Sequence, residues 1–296
     1  MKGEKAMTPV VKGDRRFLMI LPALIVLFFN SIFPLLVVVN YSFQNPFAAN
    51  PSYEGWNNYI RVLRDSLWWD AFIRNLRFTL ITLAIEIPLG LILALVIREK
   101  TKLASFTSAV IVLPSLVPLV SVGILWRLLS MTSGPIPLLL GKLGIEYNLM
   151  TPQNAFWTLV VMDVWHWTSL VFLLISAALV TIPDVYYIAA RVDGSTRWQV
   201  FRYITLPGIR PILTLTILLR IIDSFKLYDE NFILTGGGPG RTTEFLSLFL
   251  VRKVLKEWDG GYGAAASLIY LLQALVICFV LVMVLTKGKG MLEQQS

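Results

Sequence analysis

Five ionisable side chains lie in residues 211–234, a stretch that is otherwise apolar. A charge at the centre of a lipid-exposed helix costs about 2.5–3.5 kcal/mol, so these side chains are expected to face protein or water. Helical spacing would pair Arg220 with Asp223, and would pair Lys226 with Asp223 or Glu230. Such pairing along one helix is one explanation, and a polar path through the membrane is the other. The five residues are Arg220, Asp223, Lys226, Asp229 and Glu230.

A second polar cluster lies in residues 155–180, where Asp163 and Trp167 share one face of a helix. A sugar presents apolar C–H faces ringed by hydroxyl groups, so an aromatic ring near a carboxylate suits a carbohydrate. His166 is expected to pack between helices. Glu86, in the middle of another apolar stretch, is expected to be an inward-facing hydrogen-bonding partner.

The sequence lacks the residue patterns of most other site chemistry. Cys278 and His166 are the one cysteine and the one histidine, so neither a disulfide nor a metal site with the usual number of ligands can be built. The nearest approach to a phosphate-binding loop, at Gly141 and Lys142, lacks the first glycine and the final hydroxyl. The glycines of residues 236–240 are interrupted by Pro239 and do not form a dinucleotide fingerprint. We therefore expect a protein that is not an enzyme.

The composition indicates the elements that position these residues. Of the 296 residues, 56% are hydrophobic and 15% are charged, and the mean hydropathy is +0.70. About twenty apolar residues cross a bilayer as a helix. The expected fold is therefore an all-α membrane protein with six transmembrane helices. The predicted spans are residues 17–39, 76–97, 107–129, 155–180, 211–234 and 264–286.

The net charge of +8 is explained by membrane topology and not by nucleic acid, because the basic residues form short clusters between apolar segments. Six spans place both termini on one side, and the segments on that side hold fourteen of the 26 Lys and Arg residues. The positive-inside rule then places both termini in the cytoplasm. Residues 1–16 and 287–296 are the predicted cytoplasmic tails, and residues 17–286 are the predicted membrane domain.

A polar loop, residues 181–211, connects the fourth and fifth spans, and it is predicted to form two short helices. Pro183 and Asp184 suit the start of the first helix, and Gly194 suits its end. Ser195 would cap the second helix, which would end before Pro207. This hairpin either merely joins two spans or docks onto another protein, and the residues alone leave both alternatives open.

In the same loop, Ala189 and Ala190 are followed by Asp193 and Gly194, and later by Ile204, Leu206 and Pro207. This run resembles the "EAA" loop of binding-protein-dependent ABC importer permeases, in which E-A-A is followed by D-G and later by a hydrophobic residue and L-P. One departure is Ile188, which stands where the family pattern has glutamate. Gly55, Asn58, Tyr59 and residues 75–79 are similar to the entry to the permease core of that family. The run TGGGPG at 235–240, with Thr243 and Glu244, is similar to the carbohydrate branch. The resemblance implies contact with an ATP-binding subunit through Ala189, Ala190, Asp193, Gly194, Leu206 and Pro207.

The resemblance also implies the type I importer fold and the composition of a complex. That complex would contain a homologous second permease, two ATP-binding subunits that hold ATP and Mg²⁺, and an extracytoplasmic solute-binding protein. This chain would hold no cofactor and no metal, and it would lie in the inner membrane of a bacterium or archaeon, in contact with lipid. In the family, parts of the fourth and fifth spans line a central cavity. The corresponding candidates for contact with a carbohydrate-like solute are Asp163, Trp167, Asp223, Ser224 and Lys226.

A second function, from another class, stays open on the residues alone. A self-sufficient secondary transporter could use Glu86, Asp163 or Asp223 as a proton or cation site. The charge of the solute is open as well. Arg220 and Lys226 suit an anionic sugar unless neighbouring carboxylates neutralise them, and a neutral oligosaccharide or a polyol is equally compatible.

Overall fold

A computed structural model describes residues 13–47, 52–97 and 102–293. The described residues form helices and turns, with one isolated β-bridge between Gln44 and Tyr53. In chain order the helices are α1 (Gly13–Leu27), α2 (Phe33–Ser42), α3 (Asn57–Arg64), α4 (Ser66–Val96), α5 (Lys102–Val112), α6 (Leu119–Ser130), α7 (Pro135–Lys142), α8 (Pro152–Val180), α9 (Asp184–Val192), α10 (Arg197–Val200), α11 (Leu206–Phe225), α12 (Asp229–Leu234), α13 (Leu246–Val251) and α14 (Gly260–Glu293).

Six helical segments among the described residues are long and apolar enough to cross a membrane, which confirms the predicted number of spans. Four of them overlap the predicted ranges closely, with ends that differ by at most ten residues. The third and fifth spans differ more. The six segments are Ile20–Ser42, Ser66–Val96, Leu119–Lys142, Pro152–Val180, Arg197–Phe225 and Gly260–Val280.

The predicted third span, residues 107–129, is not one helix. Helix α5 ends at Val112, and a 3₁₀ turn covers Leu113–Leu116. Helix α6 then begins after Pro118, whose extended backbone, with ψ of 141°, breaks the helical path. Because proline lacks a backbone N–H and its ring clashes with the preceding turn, the two prolines of this stretch divide it. The segment that could cross the membrane is therefore formed by α6 and α7.

The predicted fifth span, residues 211–234, begins earlier and ends earlier than expected. Helix α10 continues through a π-helical turn, Phe201–Thr205, directly into α11. The expectation that the second hairpin helix ends before Pro207 is therefore wrong. The wider turn lies just ahead of Pro207, where an ordinary α-helical turn would place a carbonyl against the proline ring. At its other end α11 stops at Phe225, so Asp229 and Glu230 belong to the separate helix α12.

The described residues group into two compact units. One unit contains residues 13–64 and 253–269, and the other contains residues 65–252 and 270–293, within the described ranges. In the first unit, the side-chain amide of Asn58 donates to the carbonyl oxygens of Ser42 and Gln44, at 3.1 and 3.0 Å. The assignment of residues 17–286 to a single permease domain stays a prediction.

Helices α4, α8 and α11 form the centre of the second unit. Ile175 of α8 and Ile209 of α11 are fully buried in one apolar cluster with residues of α4. Gly90 allows α4 and α8 to approach closely, because a Cβ atom at this position would lie 2.5 Å from Cγ1 of Val171. These three helices carry the buried charges described below.

Candidate functional site

The hairpin between α8 and α11 has its first helix where the sequence predicts one. Helix α9 starts with Asp184 in its first turn, after Pro183. It ends before Gly194, whose φ of +67° is a left-handed conformation that glycine adopts without steric cost. The predicted cap of the second helix is wrong by one residue. The hydroxyl of Thr196, not that of Ser195, accepts from the backbone N–H of Gln199 and forms a capping box.

Helix α9 turns one face towards its own chain. Ala190 is buried on this face, and the hydroxyls of Tyr187 and Thr205 form a hydrogen bond of 3.2 Å. Next to them, Ile182 packs so closely on Gly208 that a Cβ atom there would lie 2.6 Å from Cδ1 of the isoleucine. This face therefore fixes the hairpin to the ends of α8 and α11.

The opposite face of α9 is apolar and exposed. Ile188 is 52% exposed and Val192 is 83% exposed, although hydrophobic side chains of this size are usually buried. Contiguous apolar surface of this kind on a polar loop commonly marks an interaction site. We call this surface the α9 outer face, and it comprises Val185, Ile188, Ala189 and Val192.

The six residues that the loop resemblance singles out are divided between these faces and the turns. Ala189 belongs to the α9 outer face, whereas Ala190 is buried against the chain itself. Asp193 and Gly194 form the exposed turn, and Leu206 and Pro207 form the first turn of α11. The contact of these residues with an ATP-binding subunit stays a prediction.

Three buried charged side chains join α4, α8 and α11. The Nε and Nη2 atoms of Arg220 donate to the two carboxylate oxygens of Glu86, at 2.8 and 3.1 Å. Nη2 also donates to Oδ2 of Asp163, at 3.0 Å. The side chains of Arg220 and Glu86 are fully buried, and that of Asp163 is 1% exposed. We call this cluster the ion triad.

The ion triad corrects one sequence expectation and fulfils another. Arg220 was expected to pair with Asp223 along one helix, but the structure joins it to carboxylates of two other helices. Asp223 instead lies 3.6 Å from Lys226, at the spacing that was expected. Glu86 is a hydrogen-bonding partner inside the protein, as its position in an apolar segment indicates.

The guanidinium group of Arg220 also covers an aromatic ring. Its Cζ atom lies 4.4 Å from the centroid of the Trp167 ring, within the range of a cation–π contact. The ring of His166 lies 4.9 Å from the Trp167 ring and nearly perpendicular to it. His166 is buried and Trp167 is half-buried, so the tryptophan retains accessible surface.

The five cavity candidates therefore have two kinds of environment. Asp163 belongs to the ion triad, and Ser224 is buried with its hydroxyl 2.9 Å from that of Thr79. Trp167 is half-buried, and the side chains of Asp223 and Lys226 are 33% and 67% exposed. In this structure only the latter three present surface that a solute could contact, and contact by any of the five stays a prediction.

The sequence did not indicate which hydrogen-bonding partners the buried polar residues have. Thr79 of α4 is buried, and it meets Ser224 although 145 residues separate the two in sequence. Asn231 of α12 is fully buried and donates to the carbonyl oxygen of Thr243 at 2.7 Å, which closes the glycine-rich loop between them. A polar residue in an apolar stretch is a visible signal, but the sequence does not show which partner it meets.

The six apolar spans and the buried charges between three of them define an integral membrane protein with a polar interior. Comparison with known proteins shows its family. The chain belongs to the family described as binding-protein-dependent transport system inner membrane component, whose model matches residues 86–287. It is thus a multi-pass inner-membrane permease subunit of an ABC importer, and this decides between the two functions that the residues left open.

Similar proteins extend over almost the whole chain. The trehalose/maltose transport system permease protein MalF of Thermococcus litoralis is 34% identical over 271 residues, which cover 90% of this chain and 91% of the relative. The probable starch degradation products transport system permease protein AmyD of Thermoanaerobacterium thermosulfurigenes is 28% identical, covering 88% and 90%.

A solved structure shows the same fold. It is a crystal structure of a bacterial ABC transporter involved in the import of the acidic polysaccharide alginate. The chain superposes on it with a TM-score of 0.80 at 23% identity, covering 92% of this chain and 94% of the other. The predicted fold class, an all-α permease of the type I importer fold, is confirmed.

Proposed function

We propose that this chain and a second, homologous permease form a path for a carbohydrate or carbohydrate-like solute. An extracytoplasmic binding protein delivers the solute, and two separate subunits, which hold ATP and Mg²⁺, supply the energy. Both termini of this chain lie in the cytoplasm, in a bacterium or an archaeon. The α9 outer face, an exposed apolar surface on a hairpin fixed to two spans, is the observation that carries the proposal.

The connection from this hairpin to the polar interior supports its role as the mechanical input. Helix α10 runs into α11 without a break, and α11 carries Arg220. At a rise of 1.5 Å per residue, the 23 steps from Arg197 to Arg220 correspond to roughly 35 Å. A displacement of the hairpin by an ATP-hydrolysing subunit therefore moves α11 as a helix and shifts the population between two arrangements of the spans.

Two observations support a carbohydrate as the solute. The relatives MalF and AmyD are named for the transport of trehalose or maltose and of starch degradation products. In this chain, the half-buried ring of Trp167 lies on the helix before the hairpin, and Asp223 and Lys226 lie at the end of the helix after it. An aromatic ring suits the C–H faces of a sugar, and charged side chains suit its hydroxyls.

The docking part of the proposal is tested on the α9 outer face. Val185→Glu and Val192→Glu place carboxylates on an apolar surface whose burial in an interface would then be unfavourable. We expect both variants to reduce co-purification of the ATP-binding subunit. Leu255→Glu is the matched control, because Leu255 is an equally exposed apolar residue in the segment before α14. Full co-purification with both α9 variants would refute docking through this face.

The transport part is tested in proteoliposomes that contain the complete complex and its binding protein. We expect these proteoliposomes to take up radiolabelled trehalose or maltose only when ATP is supplied on the side of the membrane that carries the ATP-binding subunits. Omission of these subunits should abolish uptake. Uptake by this chain alone under a proton gradient would contradict the proposal.

A further inference from the structure

Arg220 lies where it cannot touch a transported solute. Its side chain is fully buried, and three N–H···O contacts to Glu86 and Asp163 occupy its Nε and Nη2 atoms. Two of these contacts form a fork to one carboxylate, which fixes the plane of the guanidinium group as well as its position. Because the carboxylates come from α4 and α8, the orientation of this plane is set by three helices together.

The fixed guanidinium group determines in turn where the Trp167 ring lies. The ring is in cation–π contact with Arg220, at 4.4 Å, and its edge-to-face contact with His166 limits rotation on another side. Trp167 nevertheless retains accessible surface. Arg220, Glu86 and Asp163 have almost no accessible surface, so we expect them to affect a solute by holding the Trp167 ring in place.

We propose that Arg220 is a positioning residue for solute recognition: held by Glu86 and Asp163, it fixes the Trp167 ring in the orientation in which the ring stacks on an apolar face of a sugar. This inference rests on the proposed function. A contact surface that is rigid before the solute arrives loses less entropy on binding than a mobile one. Recognition in the membrane thereby depends on residues that never meet the solute.

The test separates positioning from mere structural support. In the variant Glu86→Met, Asp163→Leu, Arg220→Met, apolar side chains of similar volume replace the ion triad. Replacement of a whole buried ion cluster in this way is often neutral for stability, so the complex is expected to assemble. The readout is the number of trehalose or maltose molecules taken up per ATP hydrolysed by the reconstituted complex with its binding protein.

We expect this ratio to fall about tenfold, the size of effect expected for one lost aromatic stacking contact. Trp167→Leu should lower the ratio to a similar extent. The two changes combined should lower it no further, because both remove the same contact. If the ion triad has only a structural role, its replacement should instead lower ATP hydrolysis and uptake in parallel and leave the ratio unchanged. An unchanged ratio, or losses that multiply in the combined variant, would overturn the inference.

Arg220→Lys keeps the test decisive if the triple variant does not assemble. Lysine keeps a buried cation beside the carboxylates but lacks the planar fork, so the ratio should fall several-fold in an assembled complex. A normal ratio in this variant would overturn the inference. The matched control is Arg61→Met combined with Asp259→Leu. Arg61 is likewise paired with a carboxylate, that of Asp259, and lies over an aromatic ring, that of Tyr262. The ratio should not change in this control.

The outcome also distinguishes this inference from the proposed function. If the wild-type complex takes up neither of these sugars nor any member of a panel of other oligosaccharides, polyols and anionic sugars, the carbohydrate assignment is wrong, and the stacking role of Trp167 is wrong with it. If the wild-type complex takes up sugar and the variants of Arg220 keep the normal ratio, only the positioning role is wrong.

Discussion

Single substitutions in the ion triad should destabilise the protein in a definite order, which follows from its charges. The triad contains two carboxylates and one guanidinium group, all buried. Removal of either carboxylate leaves a balanced pair, whereas removal of Arg220 leaves two buried carboxylates that face each other. We therefore expect Arg220→Met to be more destabilising than Glu86→Met, and Glu86→Met to be more destabilising than Asp163→Leu.

The contacts set the magnitudes. Asp163→Leu removes one of the three contacts of Arg220, and a hydrogen bond to a charged group contributes about 1.5–3 kcal/mol. Glu86→Met removes two such hydrogen bonds but leaves Arg220 balanced by Asp163, so its cost should be about twice that of Asp163→Leu. Arg220→Met removes all three hydrogen bonds and leaves two buried carboxylates without a cation, so it should cost the most. The triple apolar variant should return to within about 2 kcal/mol of wild type, since no charge is then left without a partner.

The assay is the thermal stability of the detergent-solubilised complex, followed by the loss of the monodisperse peak in size-exclusion chromatography after heating. Membrane expression of each variant is measured alongside. The reasoning is refuted if Arg220→Met is no less stable than Asp163→Leu, or if the triple variant is as unstable as Arg220→Met. Either result would mean that charge balance does not govern this cluster.

Three further substitutions test the packing around the site. Gly90→Ala should destabilise the contact of α4 with α8 by about 1–3 kcal/mol, because the added Cβ atom would lie 2.5 Å from Val171; the same thermal assay measures it, and normal stability would contradict the predicted overlap. Gly194→Ala should cost about 1 kcal/mol through its φ of +67°, seen as faster proteolysis of the hairpin than in wild type. Asn231→Leu should cost about 0.5–1.5 kcal/mol, because the Thr243 carbonyl oxygen loses the bond from the Asn231 amide and keeps only that from the Phe245 N–H; faster hydrogen exchange in that loop measures it, and unchanged exchange would contradict it.

The family signals in the sequence were carried by local patterns. The pattern of Ala189, Ala190, Asp193 and Gly194 spans only six residues, and the apolar lengths of the spans follow from the thickness of a bilayer. Both patterns could therefore be recognised without any information about how the helices pack. The hairpin has its first helix and its glycine turn where these patterns indicate.

The helix breaks required more than hydropathy. Residues 107–129 have the apolar composition of a span, yet the two prolines within them end one helix and delay the next. Conversely, Pro207 did not end a helix, because a π-helical turn ahead of it accommodates the ring. Proline limits backbone geometry in both cases, but neighbouring turns decide whether the helix stops or adapts.

The sequence by itself determined that the protein spans a membrane with six apolar helices, carries a polar hairpin, and holds charges that must face inwards. Only the tertiary structure decided which charges meet. Arg220 bypasses Asp223 on its own helix and joins Glu86, 134 residues away, and Asp163, 57 residues away. The physical reason is that a partner across helices depends on how each helix is rotated about its own axis, and side-chain packing between helices, not local spacing, sets that rotation.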